Sequence, residues 1–400
     1  MIRFIFSIVL VGHGLIHVMG FLKEWKFPLA QNFNANTIIP LSANELKVIG
    51  MLWLLCGMGT LFSFVFFLLE KRWWWMVGFV SLVISQSLIT LYWHDAKYGS
   101  WINLIVLVAV LFSYHQDKFA RHVRHEANDL LSSQANKDKT VVTPQSIKSL
   151  PMIVQQWLIR SKVIGKEKVH TVHLRQKGML RTKPDGKWMA LEAEQYIGTD
   201  IPGFIWNATI DASYFMALNG RDKFKNGHGS MVIKALHTIP VANSAGKEID
   251  QGAMMRYLAE IIWLPSAALS EYIRWEYVND TSARAIMQQG DTTVSGIFSF
   301  DKNGDVIGFE GKRYGDFNDL YSLETWSIAV KGYRDFNDVR IANKSEVTWK
   351  LKTGNFTWLQ VEVTELDYNI ETTIKKSHVA PVSIPEPKGK ERKLLFTPKV

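Results

Sequence analysis

A single cysteine in 400 residues, Cys56, excludes an intramolecular disulfide and a cysteine-based zinc cluster. Charge is scarce at the front. Residues 1–114 hold 7 Lys+Arg and 4 Asp+Glu, against 39 and 33 in the rest, which excludes one uniform soluble domain. HExxH, GxSxG, GxxxxGK and a GxGxxG between strand and helix are all missing. No catalytic motif is found, so a non-enzymatic role is the expectation and no cofactor is assigned. The net charge of +9 is diffuse and much of it lies in the tail, which argues against nucleic acid as a partner. What is present is aromatic: 15 Trp and 22 Phe can bury far more surface than a solvated, disordered chain would.

A bilayer core about 30 Å thick needs ~20 apolar helical residues to cross it. Four stretches qualify: 4–22, 48–69, 73–93 and 101–114, the last needing Tyr98–Ser100 to reach the required length. Trp73, Trp74 and Trp75 open the third and Tyr92-Trp93 close it, where amphipathic rings favour the headgroup region. The first stretch lacks a small-residue cleavage site and three more follow, so it reads as a retained span. The chain is therefore expected to be a multi-pass protein of a bacterial inner membrane. Arg3, Lys71, Arg72, Lys118, Arg121 and Arg124 fall on one side, and Lys23, Lys26, Lys47 and Lys97 on the other. This bias places both termini, and the C-terminal domain, in the cytoplasm.

Residues 115–140 are polar and basic, with Phe119, Val123, Leu130 and Leu131 at helical spacing. They read as an amphipathic linker against anionic headgroups. From residue 141 to 374 the period changes. After a helix at 150–164, alternating segments recur with short turns: 169–176, 188–197, 204–212, 228–235, 273–278, 283–288, 292–300, 306–314, 325–330, 347–351 and 358–368. This spacing predicts one antiparallel meander rather than βαβ units. One helix, 252–264, interrupts it before Pro265, with Met254, Leu258, Ile261 and Ile262 on an apolar face. The expected fold class is α+β: a four-helix transmembrane bundle, 1–114, followed by a soluble, mainly antiparallel β domain, a curved sheet or half barrel packed on helices. Residues 375–400, with seven Lys/Arg and four Pro, read as a disordered basic tail.

Candidate chemistry falls in two places. His13 and His17 stand at i,i+4 in the first span, and ionisable groups within a membrane segment default to a functional hypothesis. With His94 and Asp95 they are candidates for a metal or haem site or a proton relay. The competing reading is a pair of neutral histidines hydrogen-bonded across the bundle. In the β domain, Glu192 and Glu194 share one strand face with Gln195 on the other, and Arg256 and Glu260 form an i,i+4 pair. Asp211, Arg221 and Asp222 are further candidates for a polar network with Glu192, Glu194, Arg256 and Glu260. His170 and His173 are expected on opposite faces of a strand, which argues against a shared metal.

Two blocks carry a resemblance: HGLIHVMGF with WHDAKYGSWIN in the first third, then GKWMALEAEQYI, PGFIWNATI, GHGSM, IPVANSAGKEID, MRYLAEIIWLP and FDKNGDVIGFEGKRY. Together, over roughly residues 10–370, they resemble an uncharacterised bacterial family with four N-terminal transmembrane helices and a C-terminal domain of unknown function. That resemblance supplies architecture without a reaction. It implies a domain similar to the lipoprotein-carrier half barrel, in which a curved sheet wraps helices around an apolar cavity. The expected ligand is a membrane lipid or other apolar small molecule. It would sit between sheet and helix near Trp188, Phe204, Trp206, Tyr257 and Trp263. A redox, metal or proton-handling bundle is the alternative, and a non-catalytic membrane scaffold the second.

Overall fold

The computed structural model describes residues 2–30, 36–134, 139–213, 216–317 and 320–370. The expected tail lies outside them. Four apolar helices open the chain: α1 (Ile2–Glu24), α2 (Ala43–Leu68), α3 (Trp74–Leu91) and, after the short α4 (Trp93–Ala96), α5 (Gly99–Ser132). All four long helices are long and apolar enough to cross a membrane. Ser42 starts α2: its Oγ accepts the Glu45 N–H, and the Glu45 carboxylate accepts the Ser42 N–H, so two otherwise unpaired donors are satisfied reciprocally. Leu15, Phe62, Val80 and Val108 face outward, as a lipid-facing surface requires and an aqueous one does not.

The chain divides into two compact units, one within Met1–Ala120 and one within Arg121–Ser377. The division falls inside α5. The stretch expected as a linker continues that helix, and its last turns belong to the second unit. There Val123, Leu130 and Leu131 are buried, while Glu126 and Asp129 face basic side chains of the sheet.

The second unit is built on thirteen strands: β1 (Thr171–Leu180), β2 (Met189–Gly198), β3 (Gly203–Ser213), β4 (Met216–Lys225), β5 (His228–Ala235), β6 (Ile239–Ala245), β7 (Ile273–Asn279), β8 (Ser282–Gln289), β9 (Thr292–Phe300), β10 (Val306–Asp316), β11 (Tyr321–Phe336), β12 (Val339–Leu351) and β13 (Gly354–Tyr368). They form one sheet in the order 6-5-4-3-2-1-13-12-11-10-9-8-7, and every pairing is antiparallel. The expected meander is thus two meanders joined where β1 pairs with β13. Two helices complete the unit: α6 (Met152–Arg160) and α7 (Lys247–Glu260), the latter continued by 3-10 turns at Ile261–Trp263 and Pro265–Leu269.

Helix α7 shows how the sheet is shaped. It touches β4, β5 and β6 near one end of the sheet and β9 and β10 near the other. A sheet can offer both ends to one helix only by curling around it, and the result is a half barrel. Glycines permit the approach on both sides. A Cβ on Gly229 of β5 would lie 2.5 Å from the Ile249 carbonyl oxygen, and one on Gly311 of β10 would lie 2.9 Å from the Met255 sulfur. Polar clips hold the start of the helix: Asp250 accepts the Gly229 N–H at 2.6 Å, and Gln251 bonds Lys312 O and Tyr314 N. The sequence suggests an apolar face and, on another face, the Arg256–Glu260 pair. The structure buries both, because the helix lies inside the curl.

The β5–β6 turn carries a pH-sensitive group. Burial, then the nearby Lys234 charge, pushes His237 from 6.5 down to about 4. The fold holds the neutral form, so the unfolded chain binds the proton first. This contribution is complete above pH 6.5 and is lost as pH falls through 4. His237→Asn, tolerated at this left-handed position (φ 58), is expected to flatten the difference in unfolding midpoint between pH 7 and 4.5. An unchanged difference would remove His237 from the pH response.

Candidate functional site

The inner face of the sheet is a trough with three layers. At one end lies the main core, where α6, α7 and the 3-10 turns pack Trp157, Tyr257, Leu258 and Ile262 against the strands. Toward the other end lies a second apolar cluster: Leu180, Leu191, Ala193, Ala208 and Ile210, rimmed by Met189, Leu218, Leu359 and Trp206. Among the described residues, none from a helix belongs to it. Between the two runs a polar layer.

Strand pairing sets that layer. Gln195 on β2 stands opposite Trp206 on β3, and Trp206 opposite Asp222 on β4. Arg256 of α7 reaches into this row. Its Nη1 donates to Asp222 at 2.7 Å and its Nε to Glu260 at 2.7 Å, while Gln195 donates to the second Glu260 oxygen at 2.6 Å. The guanidinium also lies 4.7 Å from the Phe204 ring and 4.9 Å from Trp206. Burial works against its charge, but Glu260 and Asp222 outweigh burial and hold Arg256 above its ordinary value. Trp206 donates its indole N–H to Gln176 at 2.9 Å.

Of the residues singled out from sequence, Phe204, Trp206, Tyr257, Arg256 and Glu260 converge here, Tyr257 reaching Phe204 through Phe224. Tyr257 is fully buried and donates to Gly198 O. Trp263 lies deep in the main core, its carbonyl bonded by Tyr368. Trp188 is half-buried away from α7, with Arg181 stacked 4.7 Å above it.

Glu192 and Glu194 do not join Arg256 and Glu260. The strand period turns them to the outer face, where Glu192 pairs with Lys177 in the open and Glu194 bonds His173 at 2.7 Å. Burial raises Glu194, yet the His173 hydrogen bond and charge bring it below the usual carboxylate range. Arg221 also leaves the layer, for Glu126 on the outer face at 3.2 Å. Asp211 follows the inward Ile210 and so turns to the other face, where burial and then the Glu192 charge hold its carboxyl above the usual range. His170 bonds Asp200, apart from His173.

The intramembrane candidates separate too. His17 Nε2 meets Ser85 Oγ at 2.8 Å, Ser85 donates to Asn103 Oδ1 at 3.1 Å, and His13 Nε2 meets the same oxygen at 2.8 Å. Asn103 Oδ1 only accepts, so His13 donates to it from Nε2; Ser85 gives its proton to the same oxygen, so His17 donates from Nε2 to Ser85. The rings lie 4.3 Å apart. Asn103 and Gln86 extend the chain to Ser100. His94 is exposed on α4, and the neighbouring Asp95 accepts Asn36 N–H rather than facing His17. No group of three metal-ligating side chains occurs among the described residues.

Sequence reasoning missed Gln176, Gln195 and Arg313 as members of the trough. Arg313 had a readable signal: Phe309, Gly311, Arg313 and Gly315 alternate on β10, and Phe309 fixes which face is inside.

A family model for DUF6544, a family of unknown function, matches residues 140–361. No curated protein matches the chain. Among solved structures, a domain named for outer membrane lipoprotein sorting, from Vibrio parahaemolyticus, is similar at 10% identity, covering 56% of this chain and 94% of that chain, with a TM-score of 0.31. A DUF1329 family protein from Desulfovibrio piger is similar at 9% identity, covering 56% and 95%, with a TM-score of 0.35. A LolA superfamily protein from Nitrosomonas europaea is similar at 9% identity, covering 58% and 96%, with a TM-score of 0.30.

Proposed function

We propose that this chain, which belongs to the DUF6544 family of unknown function, is a multi-pass protein of the bacterial inner membrane that binds a lipid or other apolar ligand in the trough of its β unit. The observation that carries this reading is the strand-built cluster of Leu180, Leu191, Ala193, Ala208 and Ile210. Helix α7 packs in one end of the half barrel, and among the described residues no helical side chain joins this second, strand-built cluster. Met189, Leu218 and Leu359 at its rim are only partly buried, so a lipid chain enters by turning them aside. The polar layer beside it suits a ligand with one polar end. Phe204, Trp206 and Tyr257 flank that layer, Trp263 backs the helix, and Trp188 stands outside the trough. Four candidate spans hold the β unit near its lipid source, which raises the effective concentration of ligand. The Lys/Arg bias supports placing that unit on the cytoplasmic face.

The histidine alternative has less support. His94 stands apart from His13 and His17, and both Nε2 atoms serve neutral partners that tie the bundle together. A scaffold would have no use for a second apolar surface inside its sheet.

The test uses the full chain in detergent with a diazirine-bearing long-chain fatty acid. Saturable cross-links are expected on peptides of β1–β4 containing Leu191, Ile210 or Leu218. Cross-links confined to residues 2–114 would reject the reading.

A further inference from the structure

Two guanidinium groups enter the trough, and they are matched differently. Arg256 has two carboxylates. Arg313, from β10, has none: among the described residues it makes no ion pair, and its one hydrogen bond runs from Nε to Gly252 O at 2.9 Å. The nearest acidic groups are spoken for, Asp222 by Arg256 and Glu260 by Arg256 and Gln195. The Arg313 guanidinium lies instead on aromatic faces, 4.8 Å from Trp326 and 5.8 Å from Trp349. These two rings are cross-strand partners on β11 and β12. Trp326 is itself 3% exposed, and its indole N–H is buried with no partner.

A cation in this position is costly. Burial pushes Arg313 down to about 10, with the Asp222 and Glu260 charges opposing the shift and Arg256 adding to it. At any physiological pH it still carries its charge. Both Nη groups of this half-buried side chain therefore stand ready against the Trp326 and Trp349 faces, with no hydrogen-bond acceptor among the described residues. The planar fork of a guanidinium matches one kind of group best, a carboxylate or phosphate that accepts two parallel N–H bonds. Trp326 and Trp349 belong to the main core, and Trp206 packs against both that core and the strand-built cluster. Arg313 feels the charge of Arg256, and Arg256 stacks on Trp206, which rims the strand-built cluster.

We infer that Arg313, with the Trp326 indole N–H and the Trp349 ring, receives the oxyanion head group, carboxylate or phosphate, of an amphiphile whose chain lies on the strand-built cluster. This rests on the lipid-binding reading and makes it specific: the ligand is anionic. It also explains why the half barrel keeps an unmatched cation where an apolar residue would pack at lower cost.

The experiment compares two probes on the full chain in neutral detergent: the diazirine fatty acid and its methyl ester, alike in tail and different in head. Wild type is expected to label β1–β4 with the acid in preference to the ester by roughly tenfold to a hundredfold, the range for hydrogen bonds to charged groups. Arg313→Gln is expected to abolish that preference while leaving ester labelling in place. Trp326→Phe, which keeps an aromatic face beside Arg313 but removes the N–H together with the five-membered ring, is expected to reduce it severalfold. This variant serves if Arg313→Gln does not fold. Equal labelling by acid and ester in wild type would overturn the head-group inference and leave the lipid-binding reading standing. Absence of β-unit labelling with either probe would overturn the reading itself. Competition by inorganic phosphate or acetate at millimolar concentration would show a site for free anions, and would overturn the amphiphile.

Discussion

Glu260→Ala is expected to destabilise the β unit by about 3–5 kcal/mol, the usual cost of removing one partner from a buried ion pair. Glu260 is 7% exposed, and each of its oxygens is in use: one accepts Arg256 Nε and the other Gln195 Nε2. Alanine leaves Arg256 with Asp222 as its one carboxylate, beside the Gln195 carbonyl at 3.3 Å, and strands the Gln195 amide N–H inside the curl. Desolvation, not the loss of attraction, sets the size of the effect. The companion variant separates the two. Replacing Arg256 by Met, Asp222 by Leu and Glu260 by Leu together removes the charges with their desolvation cost, and should recover most of the lost stability. Denaturant unfolding of the full chain, followed by tryptophan fluorescence, reads both. A loss below about 1 kcal/mol for Glu260→Ala would mean the pair behaves as a surface one, and the trough would be wetter than described.

How much of this could be read from the chain differs by element. The four apolar helices are set by length and composition, because a membrane span needs nothing from the rest of the sequence. Strands with one buried face and one wet face are set by alternation. β4 escapes that rule because Gly220 and Asp222 interrupt its inner face between Leu218 and Phe224. Asp222 points in to Arg256, while Arg221 and Lys223 point out to Glu126 and Lys225 to Asp129. β6 escapes it because it is an edge strand, with Ile239 and Val241 exposed and Pro240 inside it.

The functional layer follows the same logic. The pairing of Arg256 with Glu260 is local and legible from i,i+4 spacing. Asp222 lies 34 residues from Arg256, and Gln195 lies 65 from Glu260. No local pattern reports such neighbours; they meet only because the sheet curls. Glu192 and Glu194 show the converse. Their strand parity, opposite to Gln195, already placed them on the other face, and chemistry alone made them look like partners of Arg256.

Trp157→Ala carries an equally large expected effect for a different reason. The ring is 1% exposed and stacks on Phe298 at 6.2 Å and 22°, with Trp275 and Phe300 each 6.2 Å away. Truncating a buried Trp costs about 3–5 kcal/mol, part of it lost transfer energy and part the void left behind. Helix α6 has nine residues, too few to hold its own hydrogen bonds in water, so tertiary packing must hold it. Its buried face is Ile153, Val154, Trp157 and Leu158, and Trp157 is the largest of them. The loss should therefore be local first. Amides 152–160 are expected to exchange hydrogen faster in Trp157→Ala than in wild type, ahead of the strands, while the strand-built cluster on β1–β4 keeps its protection. Faster exchange across the whole sheet at once would mean that the half barrel melts as one body, and that the main core and the proposed ligand surface are not separate layers.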